Sequence, residues 1–217
     1  MTINVHKLWK NNRFLISFIF LMVIFRTSVA DWNTVPTGSM KPTILEGDRI
    51  WVNKIAYDVK IPFTHISLSH FNEPKRGEII VFESEIAEKR LVKRVIGLPG
   101  DTVRMKNNVI FLNGEALNYK IVKQAQDKTI VEEKSKYSSH NIRLNPTSIN
   151  RSNSFNAVTI PENLYLVLGD NRNNSADSRF IGLIPRKEII GRAKHVVMSL
   201  NYDNYYLPRT QRFLHKL

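Results

Sequence analysis

Residues 90–97, Arg-Leu-Val-Lys-Arg-Val-Ile-Gly, decide the fold, because apolar and β-branched side chains surround two adjacent basic residues. Runs of this composition that end at glycine are typical of buried β-strands. In such a strand the ammonium group of Lys93 would lose its water, so it must find a partner or lose its charge. A neutral lysine accepts protons, which makes Lys93 a candidate general base.

Similar short runs recur on both sides of this segment and are separated by Gly, Pro and Asn. The predicted strands are Ile50–Ala56, Glu78–Phe82, Arg90–Ile96, Asn108–Leu112, Leu164–Leu168 and Ala193–Leu200. Asn113-Gly114 predicts a two-residue type I′ turn, which joins the strands of a hairpin. The sequence therefore predicts a mainly β protein.

A candidate nucleophile is Ser39, in the segment 36–43, Pro-Thr-Gly-Ser-Met-Lys-Pro-Thr. A serine hydroxyl is a weak nucleophile until a base takes its proton, and lysine is one of the bases that proteins use. Lysine has an ordinary pKa of about 10.4, so Lys93 would have to be desolvated to serve at neutral pH. Taken alone, the two segments also fit an ordinary turn and a solvated basic pair.

A polar loop, residues 169–179, follows the strand predicted at 164–168. Its Asx and Gly residues suit turns, and Asp177 and Arg179 are placed to pair and to hold the loop rigid. A calcium loop is excluded, because Arg172 and Ser175 stand where that motif needs an oxygen ligand and a glycine. No His or Cys spacing indicates a metal, so neither a metal nor a cofactor is expected.

Four blocks of the chain resemble, in the same order, those of bacterial type I signal peptidases, the membrane-bound serine-lysine proteases that remove signal peptides. The blocks are residues 36–43, 47–54, 76–82 with 93–101, and 169–179. The resemblance implies an antiparallel β-sheet catalytic domain, similar also to the LexA protease domain. It further implies that a smaller β-rich excursion interrupts this domain.

The resemblance also implies a mechanism. Ser39 would be the nucleophile and Lys93 the general base. The Ser39 backbone N–H and the Thr37 hydroxyl would form the oxyanion hole; many relatives carry Ser at the position of Thr37, and either hydroxyl can donate a hydrogen bond.

The polar loop would support this site. By the same resemblance, Ser175 hydrogen-bonds and orients the lysine amine, while Asp177 and Arg179 brace the site. Asn173 stands where relatives usually carry Asp, and Glu78 where they often carry Asp. Neither position is catalytic in the implied mechanism.

Signal peptides end in small residues at the first and third positions before the cut, so the enzyme needs two shallow apolar pockets beside an exposed strand edge. An extended peptide would pair its backbone with that edge. The implied pocket residues are Val35, Pro36, Met40, Ile44, Ile50, Val81, Leu91 and Val92. Each of them fits plain core equally well.

The N-terminus predicts a membrane anchor, because basic residues precede the apolar run 14–25. That run covers roughly 18 Å of a hydrocarbon core about 30 Å thick, so a span must extend to about Ala30. We expect a cytoplasmic segment at 1–13, an inner-membrane anchor at 14–30 and an extracytoplasmic domain at 31–217, with a hairpin and variable insertion at about 105–160. A signal peptide cleaved after Ala30 is the alternative.

The chain has 217 residues, no cysteine and a formal net charge of +13. The length fits one domain plus an anchor. Basic residues are scattered without a nucleic-acid-binding motif, so anionic lipids rather than nucleic acid are the expected partners of this charge. The resemblance adds signal peptides as partners, and a monomer is expected. Three alternatives stay open: a LexA-type self-cleaving protease, a Ser-His-Asp triad, and a membrane-tethered binding module without activity.

Overall fold

An N-terminal helix and a series of antiparallel strands make up the part of the chain that the computed structural model describes, residues 5–61, 66–145 and 153–217. The helices are α1 Val5–Ser28 and α2 Ser178–Ile181. The strands are β1 Ala30–Thr34, β2 Asp48–Asn53, β3 Asp58–Lys60, β4 Ser67–His70, β5 Ile79–Ser84, β6 Lys89–Gly97, β7 Thr102–Lys106, β8 Val109–Leu112, β9 Glu115–Ala116, β10 Asn118–Gln124, β11 Thr129–Lys134, β12 Ser139–Leu144, β13 Phe155–Thr159, β14 Leu164–Leu168, β15 Ile184–Pro185, β16 Ile189–Asn201, β17 Leu207–Pro208 and β18 His215–Lys216.

The main sheet has the strand order β1-β2-β16-β5-β6-β14-β15, and β17 and β18 also pair with β16. Every pair in it is antiparallel. The prediction of a mainly β, antiparallel protein is therefore confirmed, and each of the six predicted strands overlaps an observed one.

Strand β6 carries Lys93 and is paired along only half of one of its two edges. It pairs with β5 from Lys89 to Arg94, with Ile80 opposite Lys93. On its other side β14 pairs only with residues 94–97. Among the described residues, no strand covers Lys89–Lys93 on that side, so this edge is open.

The chain between β6 and β14 forms two smaller sheets. Strands β13-β7-β8-β9 form one, in which Leu112 pairs with Glu115 across Asn113-Gly114. Both turn residues have left-handed backbones, with φ of 51° and 89°, as a type I′ turn requires, so that prediction is confirmed. Strands β10-β11-β12 form the other sheet, within the predicted insertion; residues 146–152 of that insertion lie outside the described residues.

The core beneath the open edge of β6 is formed by side chains from the main sheet and from the segment after β1. The buried members of this cluster are Val35, Met40, Ile44, Ile50, Val52, Ile79, Val81, Ala193 and Val196. Truncating a large side chain in such a core costs about 2–5 kcal/mol. The packing therefore fixes the segment that carries Ser39 against the sheet that carries Lys93.

Helix α1 covers most of the predicted anchor, but strand β1 begins at Ala30, so the last residue of that prediction belongs to the sheet. Residues 1–4 of the predicted cytoplasmic segment lie outside the described part of the chain. The helix exposes large apolar side chains between Phe14 and Val23. Within the described residues, no helix combines the length and the apolar character that crossing a membrane requires.

Candidate active site

The turn that carries Ser39 follows the edge strand β1. The Lys41 N–H donates to the Gly38 carbonyl and the Ile44 N–H to the Met40 carbonyl, at 3.1 and 2.9 Å. An ion pair between Lys41 and Glu46 lies over Gly38, where an added Cβ would stand 2.7 Å from Glu46 Oε1. A side chain at position 38 would therefore displace the ends of the Lys41 and Glu46 side chains.

Lys93 meets Ser39 across the groove between β6 and this turn. Its Nζ lies 2.9 Å from Ser39 Oγ. The lysine is 2% exposed. Burial lowers its pKa to about 8, although Asp177 and Asp170 act in the opposite direction. At pH 7 about a tenth of the molecules would then carry a neutral Lys93, able to accept the Ser39 proton.

Ser175 lies in the same groove, beside the two residues of this pair. Its Oγ is buried and has no hydrogen-bond partner among the described residues, so the expected bond to Lys93 is not formed in this structure. Gly169 packs directly against it, since an added Cβ there would stand 2.2 Å from Ser175 Oγ and 2.6 Å from the Ser39 carbonyl oxygen. The loop can approach Ser39 only because residue 169 is glycine.

Asp177 and Arg179 form the pair that the sequence predicted. Arg179 Nε and Nη2 donate to the two carboxylate oxygens of Asp177, each at 2.7 Å. The carboxylate also accepts the Gly169 N–H at 2.9 Å, and Arg179 donates to the carbonyl of Arg172 at 2.7 Å. These bonds tie both ends of the polar loop together.

Thr37 is exposed at the mouth of the groove, two residues before Ser39. None of the described residues accepts the Ser39 backbone N–H. The Thr37 hydroxyl likewise has no partner within the described part of the chain, so both groups are available to bind an oxyanion, as the implied oxyanion hole requires.

The groove has a volume of about 530 Å³ and is lined by residues 33–40, 89–93 and 174–176. The predicted pocket residues that line it are Val35, Pro36, Met40, Leu91 and Val92. The other three, Ile44, Ile50 and Val81, do not line it, because the core cluster encloses their side chains completely. Val35 and Met40 belong to the same cluster but border both the core and the groove.

Asp170 and Arg94 are site residues that the sequence reasoning did not single out. Arg94 Nε and Nη2 donate to the Asp170 carboxylate at 2.8 and 2.7 Å, and Thr43 donates to it as well. Although burial acts to raise the pKa of Asp170, the Arg94 guanidinium holds it below its usual range. Arg94 follows Lys93 directly, so this pair fixes the polar loop to the strand of the lysine.

Asn171 is a third site residue that the sequence reasoning did not single out. Its N–H donates to the Ser39 carbonyl at 3.0 Å, and its side-chain Nδ2 donates to the Gly38 carbonyl at 2.9 Å. The available signal was its place in the polar loop, which matched a block of the resembled family.

Comparison with known proteins points to one family. A family model described as "Signal peptidase, peptidase S26" matches residues 8–198. Signal peptidase I of Pseudomonas aeruginosa is 35% identical over 197 residues, which cover 83% of this chain and 69% of that protein. Signal peptidase I of Leptolyngbya laminosa is 36% identical over 183 residues, with 81% and 72% covered.

Signal peptidase I P of Bacillus subtilis subsp. natto is 34% identical over 184 residues, which cover 84% of this chain and 85% of that protein. Among solved structures, a signal peptidase I from Enterococcus faecalis V583 superposes with a TM-score of 0.37 and 28% identity. That match covers 56% of this chain and 97% of the other.

Proposed function

We propose that this chain, which belongs to the signal peptidase family (peptidase S26), is a serine endopeptidase that removes signal peptides from exported preproteins. The observation that carries the proposal is the 2.9 Å contact between Lys93 Nζ and Ser39 Oγ. Because Lys93 is desolvated and Ser39 lines an open groove, the pair has both the base and the access that peptide hydrolysis needs.

In the proposed mechanism, neutral Lys93 takes the Ser39 proton as Ser39 Oγ attacks the scissile carbonyl carbon. The Ser39 N–H and the Thr37 hydroxyl stabilise the oxyanion of the tetrahedral intermediate. The lysine then gives its proton to the leaving amine, and an acyl-enzyme ester remains. A water that loses a proton to Lys93 hydrolyses this ester, and the proton returns to Ser39.

Substrate selection is proposed to follow from the shape of the groove. The side chains of Val35, Met40, Leu91 and Val92 leave room for small side chains next to Ser39. The open edge of β6 offers backbone donors and acceptors to an extended peptide. Small-x-small sites in an extended segment fit both features.

We also propose that the segment 14–30 anchors the enzyme in the inner membrane as a single pass, with the N-terminus in the cytoplasm and the β domain outside, as a monomer. The exposed apolar side chains between Phe14 and Val23 and the basic residues before them support this arrangement. Carbonate extraction of membranes and N-terminal sequencing test it. A soluble protein that starts at Asp31 would overturn it in favour of a cleaved signal peptide.

The catalytic proposal is tested with a preprotein that carries a small-x-small site. Ser39→Ala and Lys93→Ala should abolish cleavage, and Lys93→Arg should also be inactive because arginine stays protonated. The exposed residues Ser69 and Lys106 provide matched controls, Ser69→Ala and Lys106→Ala, which should keep parental activity. Cleavage by Ser39→Ala would refute the mechanism.

The same assay separates the alternatives. A parent protein that cuts only its own chain would favour the LexA-type reaction. A parent protein that binds the preprotein without cutting it would favour a binding module.

A further inference from the structure

Asn171 reaches from the polar loop to the turn of the nucleophile with two hydrogen bonds. Its backbone N–H donates to the Ser39 carbonyl at 3.0 Å, and its side-chain Nδ2 donates to the Gly38 carbonyl at 2.9 Å. The residue is buried, with 5% of its surface exposed. Neither bond involves the reacting hydroxyl, so Asn171 acts on the backbone beneath it.

The bond to Gly38 has a geometric consequence for Ser39. The Gly38 carbonyl and the Ser39 N–H belong to the same peptide unit, which is planar and trans, so they point in opposite directions. An amide that holds the carbonyl on the buried side therefore turns the N–H toward the other side. The Ser39 N–H has no acceptor among the described residues, and Ser39 lines the groove.

Asn171 is itself held in place by its neighbours in the chain and by β12. The Arg143 N–H donates to the Asp170 carbonyl at 2.7 Å, and the Arg172 N–H donates back to the Arg143 carbonyl at 3.0 Å. These two bonds bracket Asn171 in a short parallel bridge. The Asn171 side-chain amide is thus a fixed donor, and a fixed donor is needed to orient the Gly38–Ser39 peptide group.

We propose that Asn171 is a positioning residue that aims the Ser39 N–H at the oxyanion of the transition state. This rests on the proposed protease function. Asn171 is uncharged, and its hydrogen bonds to the turn of Ser39 go to backbone carbonyls. Its removal should therefore weaken the stabilisation of the transition state without changing the protonation of Lys93. Complete loss of one oxyanion donor lowers kcat by about 10²–10³, so misdirecting it should cost somewhat less.

The test measures kcat, KM and the pH profile of preprotein cleavage for Asn171→Ala. We expect kcat to fall by roughly 10- to 100-fold, KM to stay within about twofold, and the acidic pKa of the profile to stay at the parental value. A residue needed only for general stability would instead lower the fraction of active enzyme, which active-site titration and thermal unfolding report.

The matched control uses one substitution at two sites of the same loop. Asn171→Asp keeps the shape of the side chain but turns a carboxylate toward the Gly38 carbonyl, so kcat should fall at least as far as with alanine. Asn173→Asp retains the side-chain oxygen that accepts the Asn145 N–H and loses only the Nδ2 donation to Asn153 Oδ1. Neither bond involves the turn of Ser39, so this variant should keep kcat within about twofold. If Asn171→Ala does not fold, the Asp pair carries the test.

The inference would be overturned if a folded Asn171→Ala or Asn171→Asp variant kept the parental kcat. It would also be overturned if Asn171→Ala raised only KM, or shifted the acidic pKa of the pH profile. These outcomes are distinct from a failure of the proposed function. In that case the parent would not cleave the preprotein, or Ser39→Ala would still cleave it.

Discussion

Arg172 Nη2 lies 2.7 Å from Glu133 Oε1, and each of the two side chains is 1% exposed. Burial acts to raise the pKa of Glu133, but the Arg172 guanidinium holds it far below its usual value. Glu133 lies in β11 of the small three-stranded sheet, and Arg172 lies in the loop that carries Ser175. The insertion is therefore tied to the site through a buried ion pair.

Removing either partner of this pair should destabilise the protein, because the remaining charge would be buried without an opposite charge beside it. We expect Glu133→Ala to lower the free energy of unfolding by about 3–5 kcal/mol, measured by urea denaturation. The neighbouring Glu132→Ala, which removes a bond to the exposed Ser139, should change it by less than about 1 kcal/mol. Equal effects of the two variants would contradict the structural role of the pair.

The rate of cleavage should rise with pH, because only the neutral form of Lys93 accepts the Ser39 proton. With the lysine pKa lowered to about 8, kcat/KM should increase about tenfold per pH unit below that value and level off above it. Initial rates between pH 6 and about 10 check this. An acidic limb near the ordinary lysine pKa would mean that Lys93 is solvated in solution.

The desolvation of Lys93 should also lower the free energy of unfolding of the protein. Below pH 8 both the folded and the unfolded chain carry a charged lysine, so the full penalty of burial applies. The shift from 10.5 to about 8 corresponds to about 3 kcal/mol, by which Lys93→Met should stabilise the protein at pH 7.

This gain should shrink as the pH rises from about 8 to 10.5, since the folded lysine then releases its proton while the unfolded one keeps it. Urea denaturation at several pH values measures it. The exposed Lys106→Met should show no such trend. A gain that does not depend on pH would indicate that the variant improves packing instead.

Alanine substitution should lower the activity when made at Ser175 and the stability when made at Ser178. Ser175 Oγ has no partner among the described residues, so Ser175→Ala should leave the stability unchanged while kcat falls if the hydroxyl orients Lys93 during the reaction. Ser178 Oγ accepts the Val167 N–H at 2.9 Å, so Ser178→Ala should cost about 1–3 kcal/mol of stability. Parental kcat in Ser175→Ala would remove Ser175 from the mechanism.

Thr37→Val replaces the side-chain hydroxyl with a methyl group of similar size. If the hydroxyl donates to the oxyanion, kcat should fall by about 10²–10³ with little change in KM. Thr37→Ser keeps the donor and should retain most of the activity. Steady-state kinetics of the two variants decide between a donor and a residue that only shapes the groove.

The features that could be predicted from the sequence are those that depend on neighbouring residues in the chain. Strand β14 was predicted with its observed bounds, and the turn at Asn113-Gly114 follows from the left-handed preference of those residues. The pairing of Asp177 with Arg179 was also predictable, because the two side chains are close in sequence.

What the sequence missed depends on contacts between distant residues. Glu133 occupies an inward position of β11 where an apolar residue would be expected, and its partner Arg172 lies in another part of the chain. The inward positions of β11 therefore combine Thr129 and Val131 with a charge, and the predicted strands do not include this one. Likewise, the sequence does not show whether Ile44, Ile50 and Val81 lie in the core or line the groove, since both places take apolar side chains.

The open edge of β6 means that, in the described part of the chain, the main sheet has no strand beside Lys89–Lys93 on that side. In the proposed reaction the substrate itself completes the sheet, and it leaves the sheet again when it has been cut. Helical segments keep their backbone groups bonded internally and cannot make this pairing. A preprotein would therefore have to unwind ahead of its cleavage site, and its readiness to become a strand would help to set how fast it is processed.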